Sequence, residues 1–157
     1  VRLTFSRKEH SEMATIKNCE ILQAFPAHQL GWEASLYFSY FAELLVEFSR
    51  EEENGELLLR LSLAVLRATP KLPIDLLARY FELWILKLEG VLPPLDQKLI
   101  PDLAFKVSNM MRYQAMEIGT VEISSQESKR LENFCGELVE YHLEKRLKTR
   151  KLLKELL

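Results

Sequence analysis

Apolar side chains that return every third or fourth residue along most of this chain leave it few architectures. Ala34, Tyr37, Phe38, Phe41, Leu44, Leu45 and Phe48 recur at that spacing, with Ser39, Glu43 and Glu47 opposite, so the segment is predicted to be a helix covering a core on one side. Leu57, Leu61, Val65 and Ala68 form the stripe of a second helix, entered through a turn at Asn54 and Gly55 and closed by Thr69 and Pro70. A third starts after Pro73. Leu77, Tyr80, Phe81, Trp84, Ile85 and Leu88 line its buried face, and Gly90 sits where a left-handed cap residue belongs. Pro93 and Pro94 then forbid continuation.

Beyond that turn, "IPDLAFKVSNMMRYQAM" reads as a helix with Pro101 and Asp102 in its first turn, where a missing N–H and a negative charge are both tolerated. "GTVEISSQE" breaks the pattern. Ser124 with Glu127 fits a capping box, and Leu131, Phe134, Cys135, Leu138 and Tyr141 continue as a stripe. Thr149 is placed as the cap of a last short helix, "RKLLKELL". The result is a mainly α chain, a compact antiparallel domain of about five or six helices with short loops. Only the beginning differs in kind. Val1, Leu3 and Phe5 alternate with Arg2, Thr4 and Ser6, the period of a half-buried strand, and "MATIKNCEIL" supplies an antiparallel partner. Residues 1–25 are therefore assigned to a short β-hairpin and 26–157 to the helical domain, the period changing at Pro26.

With 48% apolar residues in 157, the chain has enough material for a genuine core. Its longest apolar runs, such as "ELLLRLSLAVL", are broken by charge before the roughly 20 residues a bilayer span needs. "VRLTFSRKEH" has neither the apolar centre nor the cleavage site of a secretory signal. Cys19 and Cys135 stand far apart without a C-x-x-C partner; they read as small hydrophobes in a reducing, cytoplasmic setting. The net charge of -2 is unevenly laid. Glu43 to Glu56 holds six acids and one base, whereas Tyr141 to Leu157 holds six Lys or Arg against two Glu. The acidic run reads as a solvated helix face. The basic end suits an anionic partner, because clustered positive charge binds phosphates or acidic peptides with little demand on geometry.

Reactive chemistry is not predicted. His10, His28 and His142 have no second ligand at metal spacing, and the five glycines stand singly, with no phosphate loop, dinucleotide fingerprint or nucleophile elbow. Glu43 and Glu47 share a helix face but no evident pocket that would shift their pKa. Trp32, Tyr37, Tyr40 and Trp84 at helical spacing read as core before they read as stacking platforms for bases. A binding or scaffold protein is expected, not an enzyme, with no cofactor.

Four stretches in order carry a family resemblance. "RYFELWILKLEGVLPPLD" resembles the signature of the helical domain of bacterial RecO, the recombination mediator of DNA repair, whose members carry F-E-L, then L-x-x-x-G, then P-x-L-D. "MATIKNCEILQAF" resembles the exit from that family's amino-terminal OB-fold, "ASLYFSYFAELLVEFSREEENGELLLRL" its first helices, and "YHLEKRLKTRKLL" its closing basic segment. The hairpin is thereby read as the end of an OB-fold, a domain that needs about five strands. In zinc-bearing relatives, cysteines occupy the places held here by Lys98 and Pro101, so the resemblance withdraws zinc from this chain.

The resemblance implies a mediator that binds and anneals single- and double-stranded DNA and helps load the recombinase onto strands coated by single-strand-binding protein. Its implied partners are RecR and the acidic carboxyl tail of the single-strand-binding protein, docked on the helical domain. Lys145, Arg146, Lys148, Arg150 and Lys151 are the densest supply of cations for such a tail or for phosphates. The other reading is an α-helical protein-interaction module without affinity for nucleic acid.

Overall fold

The structure, a computed structural model, describes residues 1–9, 13–22, 30–49 and 55–157. The turn predicted at Asn54, the boundary at Pro26, and His10 and His28 lie outside these residues. Two compact units divide the chain, Val1–Leu30 and Gly31–Leu157.

The first unit is the predicted hairpin. β1 (Arg2–Arg7) pairs antiparallel with β2 (Ala14–Glu20), setting Leu3 opposite Cys19 and Phe5 opposite Ile16, with an irregularity between Thr4 and Phe5. Arg2 closes the open end with a 3.1 Å salt bridge to Glu20. The alternation predicted half-buried strands, and this is corrected: every residue of β1 and β2 is exposed. A single pair of strands has no second layer of its own to cover either face.

The second unit is the helical domain. Its helices are α1 (Gly31–Phe48), α2 (Gly55–Ala68), α3 (Ile74–Leu88), the single turn α4 (Leu95–Lys98), α5 (Pro101–Met110), α6 (Ser125–Leu143) and α7 (Lys148–Leu156). α3 is the axis: α1, α2 and α6 all pack against it, and α7 packs on α1. From Leu77 to Leu86 every α3 residue except Trp84 is buried. The apolar stripe read from the sequence is therefore only part of its covered surface, as for a helix with neighbours on several sides. Phe41 of α1 meets Phe81 of α3 at 4.9 Å between ring centroids, tilted by 52°, an arrangement the aromatic quadrupole favours.

The ends form for local reasons. Gly90 takes φ +69°, as expected of a left-handed cap. Pro101 opens α5 at its first turn. Ser124 and Glu127 make the predicted capping box, the Glu127 N–H donating to Ser124 Oγ at 3.3 Å and the Ser124 N–H to Glu127 Oε2 at 2.8 Å. Other expectations are corrected. Leu58, not Leu57, turns into the core from α2, and Tyr141 stands 85% exposed. The helix after Pro101 stops at Met110, because the N–H groups of Arg112 and Tyr113 turn to carbonyls three residues back and Tyr80 Oη donates to the Tyr113 carbonyl at 3.1 Å. No helix among the described residues is long and apolar enough to cross a membrane.

Candidate functional site

The basic end is built as a turn clasped to an acidic helix. α6 closes with Glu144 in a left-handed conformation, φ 53°, and the chain passes through Lys145, Arg146 and the buried Leu147 into α7. Thr149, predicted as a cap, lies inside α7, and the orphan N–H groups of that helix are met from α1 instead. Glu43 accepts from the Lys148 N–H at 3.1 Å, from the Thr149 N–H at 2.9 Å and from Thr149 Oγ1. Partial burial pushes the Glu43 carboxyl up, but these donors outweigh it and hold the pKa below its ordinary value. One turn further on, Glu47 takes Lys145 Nζ at 2.5 Å. The acid pair read as solvated surface is thus the anchor of the basic turn.

The five predicted cations do not form one surface. Arg146, Lys148 and Lys151 are exposed, Lys151 reaching Glu155 across one turn at 3.7 Å. Lys145 is engaged with Glu47. Arg150 is buried and gives Nη1 to Glu140 at 2.7 Å. Its guanidinium lies directly on Gly136 of α6, where a Cβ would overlap Arg150 Cζ. Of the five, Arg146, Lys148 and Lys151 are therefore the ones exposed and not held by α1 or α6, with Arg150 facing inward.

Beside Arg150 lies a buried polar cluster of which helical spacing placed only Tyr40 in the core. Tyr40 Oη donates to Glu82 Oε1 at 2.5 Å, and Arg79 Nη2 meets the same oxygen at 3.2 Å, all three side chains being buried. Burial pushes the Glu82 carboxyl up, with Arg79 pulling against it. Burial likewise raises the Tyr40 hydroxyl and the Cys135 thiol well above their ordinary values, and Glu82 adds to both. Cys135 is thus an inert buried thiol. The signal in the sequence was a charged pair at i, i+3 inside an apolar run, Arg79 and Glu82, since charges are rarely buried unless paired.

Lys98 is exposed at the end of α4 and Pro101 opens α5. Neither side chain is a zinc ligand, so these positions do not fit the metal of the zinc-bearing relatives. Among the described residues no group of three or more His, Cys, Asp or Glu is placed to hold an ion.

Fold and site together define an α-helical domain that follows a β-hairpin in the chain and presents a basic turn clasped to an acidic helix. Residues 29–105 match the family described as "Recombination protein O C terminal". The chain is also similar to three proteins named DNA repair protein RecO. It is 34% identical over 95 residues to that of Syntrophus aciditrophicus, covering 60% of this chain and 37% of the relative. It is 27% identical over 95 residues to that of Koribacter versatilis, covering 60% and 39%. It is 35% identical over 96 residues to that of Pelotomaculum thermopropionicum, covering 61% and 38%. No solved structure matches. The RecO resemblance read from the sequence is thereby shown. The matched part spans less than two-fifths of each of these relatives.

Proposed function

We propose that this chain serves DNA repair and homologous recombination as the helical, partner-binding domain of a RecO-type mediator. The observation that carries the reading is the match of residues 29–105 to the RecO carboxyl-terminal family. In this reading the protein binds and anneals single- and double-stranded DNA, works with RecR, and helps load the recombinase onto strands coated by single-strand-binding protein. The helical domain receives that protein's acidic tail. Arg146 on the turn and Lys148 and Lys151 on α7, whose start α1 holds in place, are exposed and supply the cations. The domain acts by binding rather than by catalysis, and no cofactor enters its role.

A second reading has its own support. Arg150 is buried, Lys145 is engaged with Glu47 and Lys151 pairs with Glu155, so of the five cations only Arg146 and Lys148 are exposed without a carboxylate partner among the described residues. A protein-interaction module without nucleic-acid affinity needs no more. Titrating the 157-residue chain with a labelled single-stranded oligonucleotide, and separately with the tail peptide of the single-strand-binding protein, at two salt concentrations separates the readings. The mediator reading expects oligonucleotide binding that weakens steeply with salt, because phosphate contacts release counterions. Peptide binding alone, weakly salt-dependent, supports the interaction module. Failure to bind either would sink the RecO-type reading.

A further inference from the structure

Apart from the basic turn, one cleft of the helical domain combines volume with unmet hydrogen-bonding capacity. It measures about 590 Å³ and is lined by Tyr37 and Tyr40 of α1, Arg79 of α3, Lys129 of α6, and Arg150 and Lys154 of α7, a size that suits a small-molecule ligand. Arg79 and Arg150 are 4% and 6% exposed, and each has one carboxylate partner, Glu82 and Glu140 respectively. Three of their donors, Arg79 Nη1 and Arg150 Nε and Nη2, have no acceptor among the described residues. Buried donors nearly always find one, and guanidinium N–H groups are costly to leave unmet. They are shielded from water, so an acceptor placed beside them is worth more than at the surface.

The rest of the lining sets the ligand's charge. Lys129 and Lys154 are exposed and have no salt bridge among the described residues. Glu33, Asp75 and Glu132 line the same cleft and oppose a doubly charged phosphate more than a single carboxylate. A planar carboxylate also matches the guanidinium fork, and Tyr37, Leu153 and Leu157 offer apolar surface to whatever carries it.

We propose that this cleft binds a small organic monocarboxylate, held by Arg79 and Arg150, drawn in by Lys129 and Lys154, with its apolar body against Tyr37 and Leu157. The site is independent of the nucleic-acid reading, and its test uses no DNA.

Calorimetric titration of the full chain with 3-phenylpropionate, with its uncharged amide and with phenyl phosphate tests the assignment. The acid is expected to bind at least about tenfold more tightly than the amide, the loss that follows from removing charge-assisted hydrogen bonds, and more tightly than the phosphate ester. Equal affinity for acid and amide, or no binding of the acid at about 10 mM, overturns the site. Tighter binding of phenyl phosphate overturns its assignment to carboxylates. Arg150→Lys keeps the charge and loses the fork of Nε and Nη2, so it is expected to weaken the acid at least as much as amidation does. Should that buried substitution unfold the chain, Asn133→Trp at an exposed lining position fills the cleft from outside. It is expected to abolish binding with an unchanged circular dichroism spectrum, and unaltered affinity in that folded variant contradicts the proposal.

Discussion

Gly136 is the residue on which the inward turn of Arg150 depends. A methyl group there would overlap the Arg150 guanidinium, so the guanidinium must shift, which disturbs its 2.7 Å pairing to Glu140. Alanine in a helix interior is otherwise worth up to about 1 kcal/mol over glycine, which makes the sign of the change informative. Gly136→Ala is expected to lower stability in urea melts despite that gain, and to speed amide exchange in α7; a more stable variant with a protected α7 would contradict the packing. Gly90 makes a different demand. At φ +69° a Cβ on this residue would have no neighbour within 4 Å, so its cost is backbone alone, and Gly90→Ala is expected to cost about 1–2 kcal/mol in the same melts. Of the two, only Gly90 was legible in the sequence, because a glycine closing an apolar stripe before two prolines announces a cap. Gly136 carries no local signal: its requirement comes from a side chain fourteen positions later that only the turn between α6 and α7 brings over it.

At the scale of elements, α7 is secured less by its own sequence than by α1. Glu43→Ala removes the acceptor for two backbone N–H groups and the Thr149 hydroxyl, and is expected to cost about 1–2 kcal/mol, the range of lost helix caps, with α7 the first helix to exchange. Wild-type exchange in that variant would show that the contact is idle. The start of α6 gives a pH dependence. Lys106, together with Ser124, holds Glu127 at about 2, below its ordinary 4.5. A carboxylate depressed in the folded state contributes stability that is complete above 4.5 and is lost as pH falls through 4.5 toward 2. Melting temperature is therefore expected to drop across that window in the wild type and to drop less in Glu127→Gln; parallel curves would remove Glu127 as the cause. The capping box was readable because all its partners lie within four residues. The Glu43 anchor was not, since its partners lie more than one hundred positions away, and an acid pair on a helix face looks the same whether water or another helix meets it. The period also hid how fully α3 is enclosed: it marks the apolar face, while Arg79 and Glu82 are buried by pairing.

For the whole molecule, the family signature and the order of helices were legible, because the stretch from Tyr80 to Asp96 combines core side chains with a stop imposed by Gly90, Pro93 and Pro94. What a linear reading of charge left out was direction. Five cations between Lys145 and Lys151 looked like one patch, but helical geometry turns Arg150 toward α6 and Glu47 of α1 engages Lys145, so the proposed partner surface is reduced to Arg146, Lys148 and Lys151. The direct measurement is the affinity of the single-strand-binding protein's tail peptide for the wild-type chain and for the triple variant Arg146→Glu, Lys148→Glu, Lys151→Glu, with circular dichroism confirming that both are helical. A loss of at least about tenfold is expected in the variant, as when opposed charges are made alike across a contact. A folded triple variant that binds the peptide as tightly as the wild type would contradict the assignment of these three cations to the partner surface.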